Sequence, residues 1–218
     1  MNTFQLEGFP RETVGKKATK AVRKQGLIPA VLYGQTPIEL PYKGTLKQGE
    51  KVVEIGDNKG VIVTDFSVTT DSVRNLIYTP HIYLVELSLN GAETVKAIVK
   101  DIQFHPVTDA ILHLDFLDVF DNKPIVMEVP VVLEGHAEGV RAGGKLNLEM
   151  RKLRVKALHN QIPEQLVVNV EKIGLGKAIK VGELQFEGLE LINSKNAVVC
   201  SVKLTRAARG LAESAANA

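Results

Sequence analysis

The chain has 218 residues, 44% hydrophobic and 24% charged, a globular composition that excludes wholesale disorder, collagen-like repeats and coiled coils. No run approaches the ~18 apolar residues of a membrane span. The first ten residues lack a basic-then-apolar signal pattern, and a single cysteine, Cys200, leaves no internal disulfide and suits a reducing cytoplasm. The net charge of +2 hides an asymmetry. Residues 1–30 carry Arg11, Lys16, Lys17, Lys20, Arg23 and Lys24 against Glu7 and Glu12, and the positive excess of the whole chain sits there. A clustered basic stretch is the electrostatic footprint of a phosphate-backbone binder; a solvated helix face is the bland alternative. With no Trp and 5% aromatics, a platform that stacks many bases is not expected.

In chain order, Thr3 to Leu6 reads as a short strand. Lys16 to Gln25 reads as a helix between Gly15 and Gly26, the latter at a C′ position. Its apolar stripe is Ala18, Ala21 and Val22, with Lys16, Lys20, Arg23 and Lys24 off it. Leu27 to Tyr33 is an apolar strand interrupted by Pro29, residues 34–37 a turn, and Ile38 to Tyr42 another strand. Residues 44–60 are polar and Gly-rich and give no clear element. Val61 to Phe66 is β-branched and strand-like. Thr70 is placed to N-cap a short helix with Val73, Leu76 and Ile77 inward, stopped by Pro80. Ile82 to Leu89 and Thr94 to Phe104 flank Asn90-Gly91, a hairpin signal, and Ile111 to Val119 is a further strand.

Residues 121–124 form a polar break, which makes 1–120 and 121–205 the expected domains. Beyond it the pattern is almost wholly β. Ile125 to Leu133 contains Pro130, suggesting an edge strand or a bulge. Leu146, Leu148 and Met150 alternate, and then the phase flips to Leu153, Val155 and Ala157, suggesting a bulge or turn. Leu166 to Val170 and Ala197 to Leu204 are strands, and residues 206–218 read as a frayed helix or flexible tail.

Three constellations bear on chemistry. In Ile111 to Leu117, alternation sends Leu112, Leu114 and Phe116 to the core and His113 and Asp115 together to the other face. His105 and Asp109 stand near in sequence. His105, His113, Asp115 and Asp118 can be written as a metal set, as in a metal-dependent hydrolase, but match no strong zinc spacing. A His and an Asp on one strand face also suit ribose 2′-OH groups and base edges of irregular RNA. The run from Gly139 to Lys145 satisfies GxxxxGK, but Leu146 stands where a P-loop needs Ser or Thr, so a glycine turn between strands is expected. Lys152, Arg154 and Lys156 form a basic stripe on one strand face, for solvent or for a partner. There is no GxSxG, and Cys200 reads as a small strand residue.

The run from Gly15-Lys16-Lys17 through Pro29-Ala30-Val31-Leu32-Tyr33-Gly34 resembles the opening of the bacterial large-subunit ribosomal protein family that binds 5S rRNA. Asp101-Ile102-Gln103-Phe104-His105-Pro106 and Leu112-His113-Leu114-Asp115-Phe116 resemble that domain's closing strands. Gly139 to Gly144, Ile162-Pro163-Glu164 and Val168-Asn169-Val170 resemble the added domain of the long form, the general stress protein CTC type. The resemblance implies a mostly-β (α+β) protein, with an N-terminal β-barrel that binds 5S rRNA and a C-terminal mostly-β domain. It implies RNA contacts at Arg11, Lys16, Lys20, Arg23, Tyr33, Gln103, His113 and Asp115. It also implies a non-enzymatic, cytoplasmic component of the large ribosomal subunit, without cofactor, metal, membrane or small-molecule substrate; the rival reading is a protein-interaction module whose C-terminal domain docks a protein partner, such as a neighbouring ribosomal protein. Ala21 and Phe104 stand where some members carry Arg, residues 44–66 fit the family poorly, and the acidic tail common in long forms is replaced by an alanine-rich end.

Overall fold

The computed structural model describes residues 2–42, 44–56, 59–91 and 94–205. The chain divides into two compact units that meet at Lys123 and Pro124. The first holds strands β1 (Asn2–Pro10), β2 (Leu27–Tyr33), β3 (Ile38–Glu39), β4 (Glu50–Gly56), β5 (Lys59–Thr69), β6 (Tyr83–Leu89), β7 (Val95–Phe104) and β8 (Ile111–Asp118), with helices α1 (Lys16–Lys24) and α2 (Thr70–Ile77). Six of the strands close in the order β1-β6-β7-β8-β2-β5, and β5 pairs back onto β1; β3 and β4 extend β5. The β1–β6 and β2–β8 pairs are parallel and the other pairs of the ring antiparallel.

Closure removes sheet edges and leaves one side of each strand to fill the interior. Leu6, Ile28, Ala30, Phe66, Val85, Leu87, Leu114 and Phe116 do so. Val73 and Leu76 of α2 join them, at the end where β5 finishes and β2 begins. Phe66 and Phe116 lie fully buried with ring centroids 5.7 Å apart. Phe116→Ala is expected to cost about 3–5 kcal/mol, the range for emptying a buried aromatic site. All four tyrosines lie in this unit, so tyrosine fluorescence during urea unfolding reads that loss directly.

Asn90 and Gly91 begin the connection from β6 to β7 with φ of 50° and 72°, left-handed values that Asn and Gly tolerate in turns. Other expectations need correction. The first strand runs to Pro10, because β6 pairs it along Asn2–Gly8 and β5 takes over at Phe9 and Pro10. The unassigned polar segment contains β4, held by β5 from Glu50↔Thr64 to Gly56↔Lys59. Ile38 to Tyr42 shrinks to the two residues of β3. Thr69, not Thr70, is the N-cap residue of α2; the Thr70 hydroxyl instead donates to the Gly26 carbonyl at 2.8 Å, tying the start of α2 to the end of α1. On α1 the half-buried residues are Ala18, Thr19 and Val22, while Ala21 is exposed.

The second unit holds β9 (Ile125–Glu134), α3 (Glu138–Arg141), β10 (Lys145–Leu148), β11 (Lys152–Ala157), β12 (Leu166–Asn169), β13 (Ala178–Lys180), β14 (Glu190–Leu191) and β15 (Val198–Lys203). They form a four-stranded sheet, β12-β9-β11-β14, and a three-stranded sheet, β10-β15-β13. Pro130 lies in an interior strand, not an edge strand. The Val131 N–H donates to the Arg151 carbonyl, so alternation turns the Pro130 nitrogen toward the other side, where β12 pairing starts only at Val131. The phase flip after Met150 is a change of sheet: β10 belongs to one and β11 to the other, and the Glu149 and Met150 N–H groups both donate to the Val199 carbonyl at the turn. The expected tail, 206–218, lies outside the described residues.

Candidate nucleic-acid interface

Interior packing decides which side chains the barrel presents outward. On β8, Leu114 and Phe116 are buried, so His113 and Asp115 point outward. β2 lies on one side, with Val31 opposite Asp115, and β7 on the other, with Gln103 opposite His113 and Asp101 opposite Asp115. The result is a continuous outer face made of Tyr33 and Val31, His113 and Asp115, Gln103 and Asp101.

Two bulges adjust this face. Leu112 is skipped in the β7–β8 register between His113 and Ile111, and Lys100 is skipped between Val99 and Asp101. The first bulge corrects the expected core set, because buried Ile111 takes the place assigned to Leu112. It also leaves the Leu112 carbonyl as an acceptor. Arg23 of α1 donates to it through Nε at 3.2 Å and Nη2 at 2.9 Å. Arg23 is therefore the strap that fastens the basic helix beside β8. The second bulge places the Lys100 ammonium over the Tyr33 ring, 5.6 Å from its centroid. Sequence reasoning missed Lys100; its signal was the broken alternation that sets Lys100 and Asp101 side by side between Val99 and Ile102.

The electrostatics of the face are mixed. Lys16, Lys17, Lys20 and Lys24 stand exposed on α1. Between them and the far side of the face lie carboxylates. Asp65 of β5 is buried and bridged by Lys51 at 2.6 Å. Burial first, then the Asp115 and Asp65 carboxylates, pushes the Tyr33 phenol above its ordinary value, so it stays a hydrogen-bond donor. His113 Nδ1 and Asp115 Oδ1 meet at 3.1 Å, both atoms buried, and the Tyr33 hydroxyl donates to the Asp115 carboxylate. The two side chains keep 23% and 16% of their surface exposed, so a ligand arriving at the face meets the remaining atoms of the imidazole and the carboxylate. Arg11, half-buried after β1, donates its N–H to the Asp65 carbonyl at 2.8 Å, and its Nε and Nη1 are buried without partners.

His105 does not join the cluster. Its Nδ1 accepts from the Val107 and Thr108 N–H groups and closes the turn before β8. Among the described residues no three His, Cys, Asp or Glu side chains gather as a metal-holding group, so the set of His105, His113, Asp115 and Asp118 is not assembled. Phe104 is 43% exposed and pairs with the Tyr78 ring at 6.4 Å. The surface beyond Gln103 is aromatic instead of cationic.

In the second unit the GxxxxGK run is packing. It holds the short helix α3, not a simple turn between strands. A Cβ at Gly139 would lie 2.7 Å from the Gly174 carbonyl carbon and the Leu175 nitrogen. Every N–H from Gly139 to Gly144 donates to a backbone carbonyl, Gly139 to Ile173 and Gly144 to Gly139 among them, leaving none for a phosphate. Two of the three cations of the basic stripe are paired across their sheet: Arg154 meets Glu128 at 3.1 Å and Lys156 meets Glu190 at 3.0 Å. Such exposed pairs contribute about 0.2–1 kcal/mol each and favour the solvent-face reading. Cys200 is fully buried on β15, and burial pushes its thiol up.

The ribosomal L25p family model matches residues 6–62 and 52–116, and that of the C-terminal domain of ribosomal protein TL5 matches residues 124–206. A large ribosomal subunit protein bL25 of Porphyromonas gingivalis is 60% identical over 97% of this chain and 98% of its own length. Those of Phocaeicola vulgatus and Bacteroides fragilis are 58% and 56% identical, each over 99% of both chains. The family is structural, not enzymatic, and its model extends into the 44–66 segment that fits it poorly by motif. The chain belongs to the ribosomal L25p family of large-subunit proteins, in a form that carries a TL5-type C-terminal domain.

Proposed function

We propose that this cytoplasmic ribosomal protein binds 5S rRNA through α1 and the outer face of β2, β8 and β7. Lys16 and Lys20 supply phosphate contacts, joined by Arg11 at the end of β1. Arg23 contributes its charge while holding α1 in place. Tyr33, Gln103, His113 and Asp115 read ribose hydroxyls and base edges. The observation that carries this reading is the His113–Asp115 pair, 3.1 Å apart and partly exposed on the strand face, beside the exposed lysines of α1. A carboxylate does not attract phosphate; it accepts hydrogen bonds from 2′-OH groups and base amino groups, which irregular RNA presents. In the C-terminal unit, Val132 and Val167 stand in register on β9 and β12, 40% and 43% exposed, a small apolar patch suited to a neighbouring ribosomal protein.

Binding to 5S rRNA and to a tRNA control between 50 and 200 mM salt tests the reading. Neutralising about six phosphates costs roughly 10³ in affinity over that range. The tRNA complex is expected to collapse by about that factor, while 5S rRNA keeps a preference at the upper end. Equal, steep loss on both RNAs would reduce the surface to a general polyanion site.

A further inference from the structure

We propose that the open end of the barrel is a binding site for a small amphipathic amine, whose ammonium meets Asp118 and whose apolar body lies on Leu32, Leu89, Val95 and Phe120. The site is separate from the RNA face. α2 covers the end where β5 finishes; at the opposite end β1, β2, β6 and β8 finish and β7 begins. A cavity of about 530 Å³ remains there, within the range of sites that take small ligands.

Its floor is set by alternation on β8. Leu114 and Phe116 point inward, so Asp118 occupies the next inward position, where a core residue is due. Its partner across the β7–β8 pair is Ala97, too short to cover it. Asp118 is half-buried, and burial holds its carboxyl above the usual range, partly offset by the Val119 backbone N–H and the Lys123 charge.

Lys47 and Glu50 also line the cavity. Glu50 Oε2 accepts from the Lys47 N–H at 2.8 Å. Lys123 donates to Thr36 Oγ1 at 2.9 Å and lies 5.4 Å from the Phe120 ring centroid. Asp118 is the carboxylate of the lining that stands at an inward position of the barrel wall, next to the apolar side chains. A carboxylate in such surroundings gains from a cation that brings its own apolar cover. A neutral guest of the same shape offers only the cover.

The test uses the full-length chain, with 4-phenylbutylamine and the matched alcohol 4-phenylbutanol as probes, followed by methyl NMR shifts. The expected result is saturable shifts centred on Leu32, Leu89 and Val95, with the amine about tenfold tighter than the alcohol, the worth of a charge-assisted hydrogen bond. Asp118→Asn is expected to erase the preference while alcohol binding persists. Val95→Phe fills the mouth and is expected to abolish both, which keeps the test decisive if the Asp118 variant folds poorly. Equal affinity for the two probes, shifts centred elsewhere, or no saturation would overturn the proposal.

Discussion

Asp115→Ala is expected to lower affinity for 5S rRNA by about 10- to 100-fold and to leave tRNA binding within about twofold. The size follows from the chemistry. A hydrogen bond to a charged group is worth about 1.5–3 kcal/mol, and each 1.4 kcal/mol is tenfold in Kd. The selectivity follows from sign: removing a carboxylate takes a negative charge out of a polyanion interface, so any loss is a loss of recognition. Lys20→Ala has the opposite signature. It weakens both RNAs alike and lowers the salt slope by about one. His113→Ala is expected to follow Asp115→Ala, because the two side chains meet at 3.1 Å and removing either frees the other. Filter binding of the three variants with both RNAs at two salt concentrations separates the classes. Equal losses on both RNAs from all three would sink the division of labour between helix and strand face.

Much of this site was legible because local rules governed it. The basic stretch before Gly26 and the alternation through His113, Leu114, Asp115 and Phe116 each name a face without knowledge of what lies opposite. The Asn90-Gly91 turn is equally local. What the residues did not disclose depends on partners distant in sequence. The bulges at Lys100 and Leu112 exist only relative to each other's strands, and they decide that Lys100 covers Tyr33 and that Arg23 finds a carbonyl acceptor. β4 is held by its pairing with β5 and carries no strong pattern of its own. The phase flip after Met150 announced a break but not that the chain changes sheets. The role of Arg23 shows the limit most clearly: as a residue type it reads as a phosphate contact, and its geometry makes it a strap as well.

The GxxxxGK glycines lead to the second large effect. Gly139→Val is expected to destabilise the C-terminal unit by at least about 3 kcal/mol. Its Cβ would meet backbone atoms of Gly174 and Leu175 at 2.7 Å, and backbone cannot swing aside as a side chain can, so the cost exceeds ordinary overpacking of about 1–3 kcal/mol. The N–H of the same residue donates to the Ile173 carbonyl at 2.8 Å, a bond that any displacement would stretch. Amide hydrogen exchange across β10, β13 and β15 measures the effect. Tyrosine fluorescence serves as an internal control, because Tyr33, Tyr42, Tyr78 and Tyr83 all report on the barrel. If RNA recognition belongs to the barrel alone, the variant keeps its 5S rRNA affinity within about twofold while exchange in those strands accelerates. A parallel fall in affinity would mean that the C-terminal unit takes part in holding the RNA, and the protein-facing role proposed for Val132 and Val167 would then lose its ground.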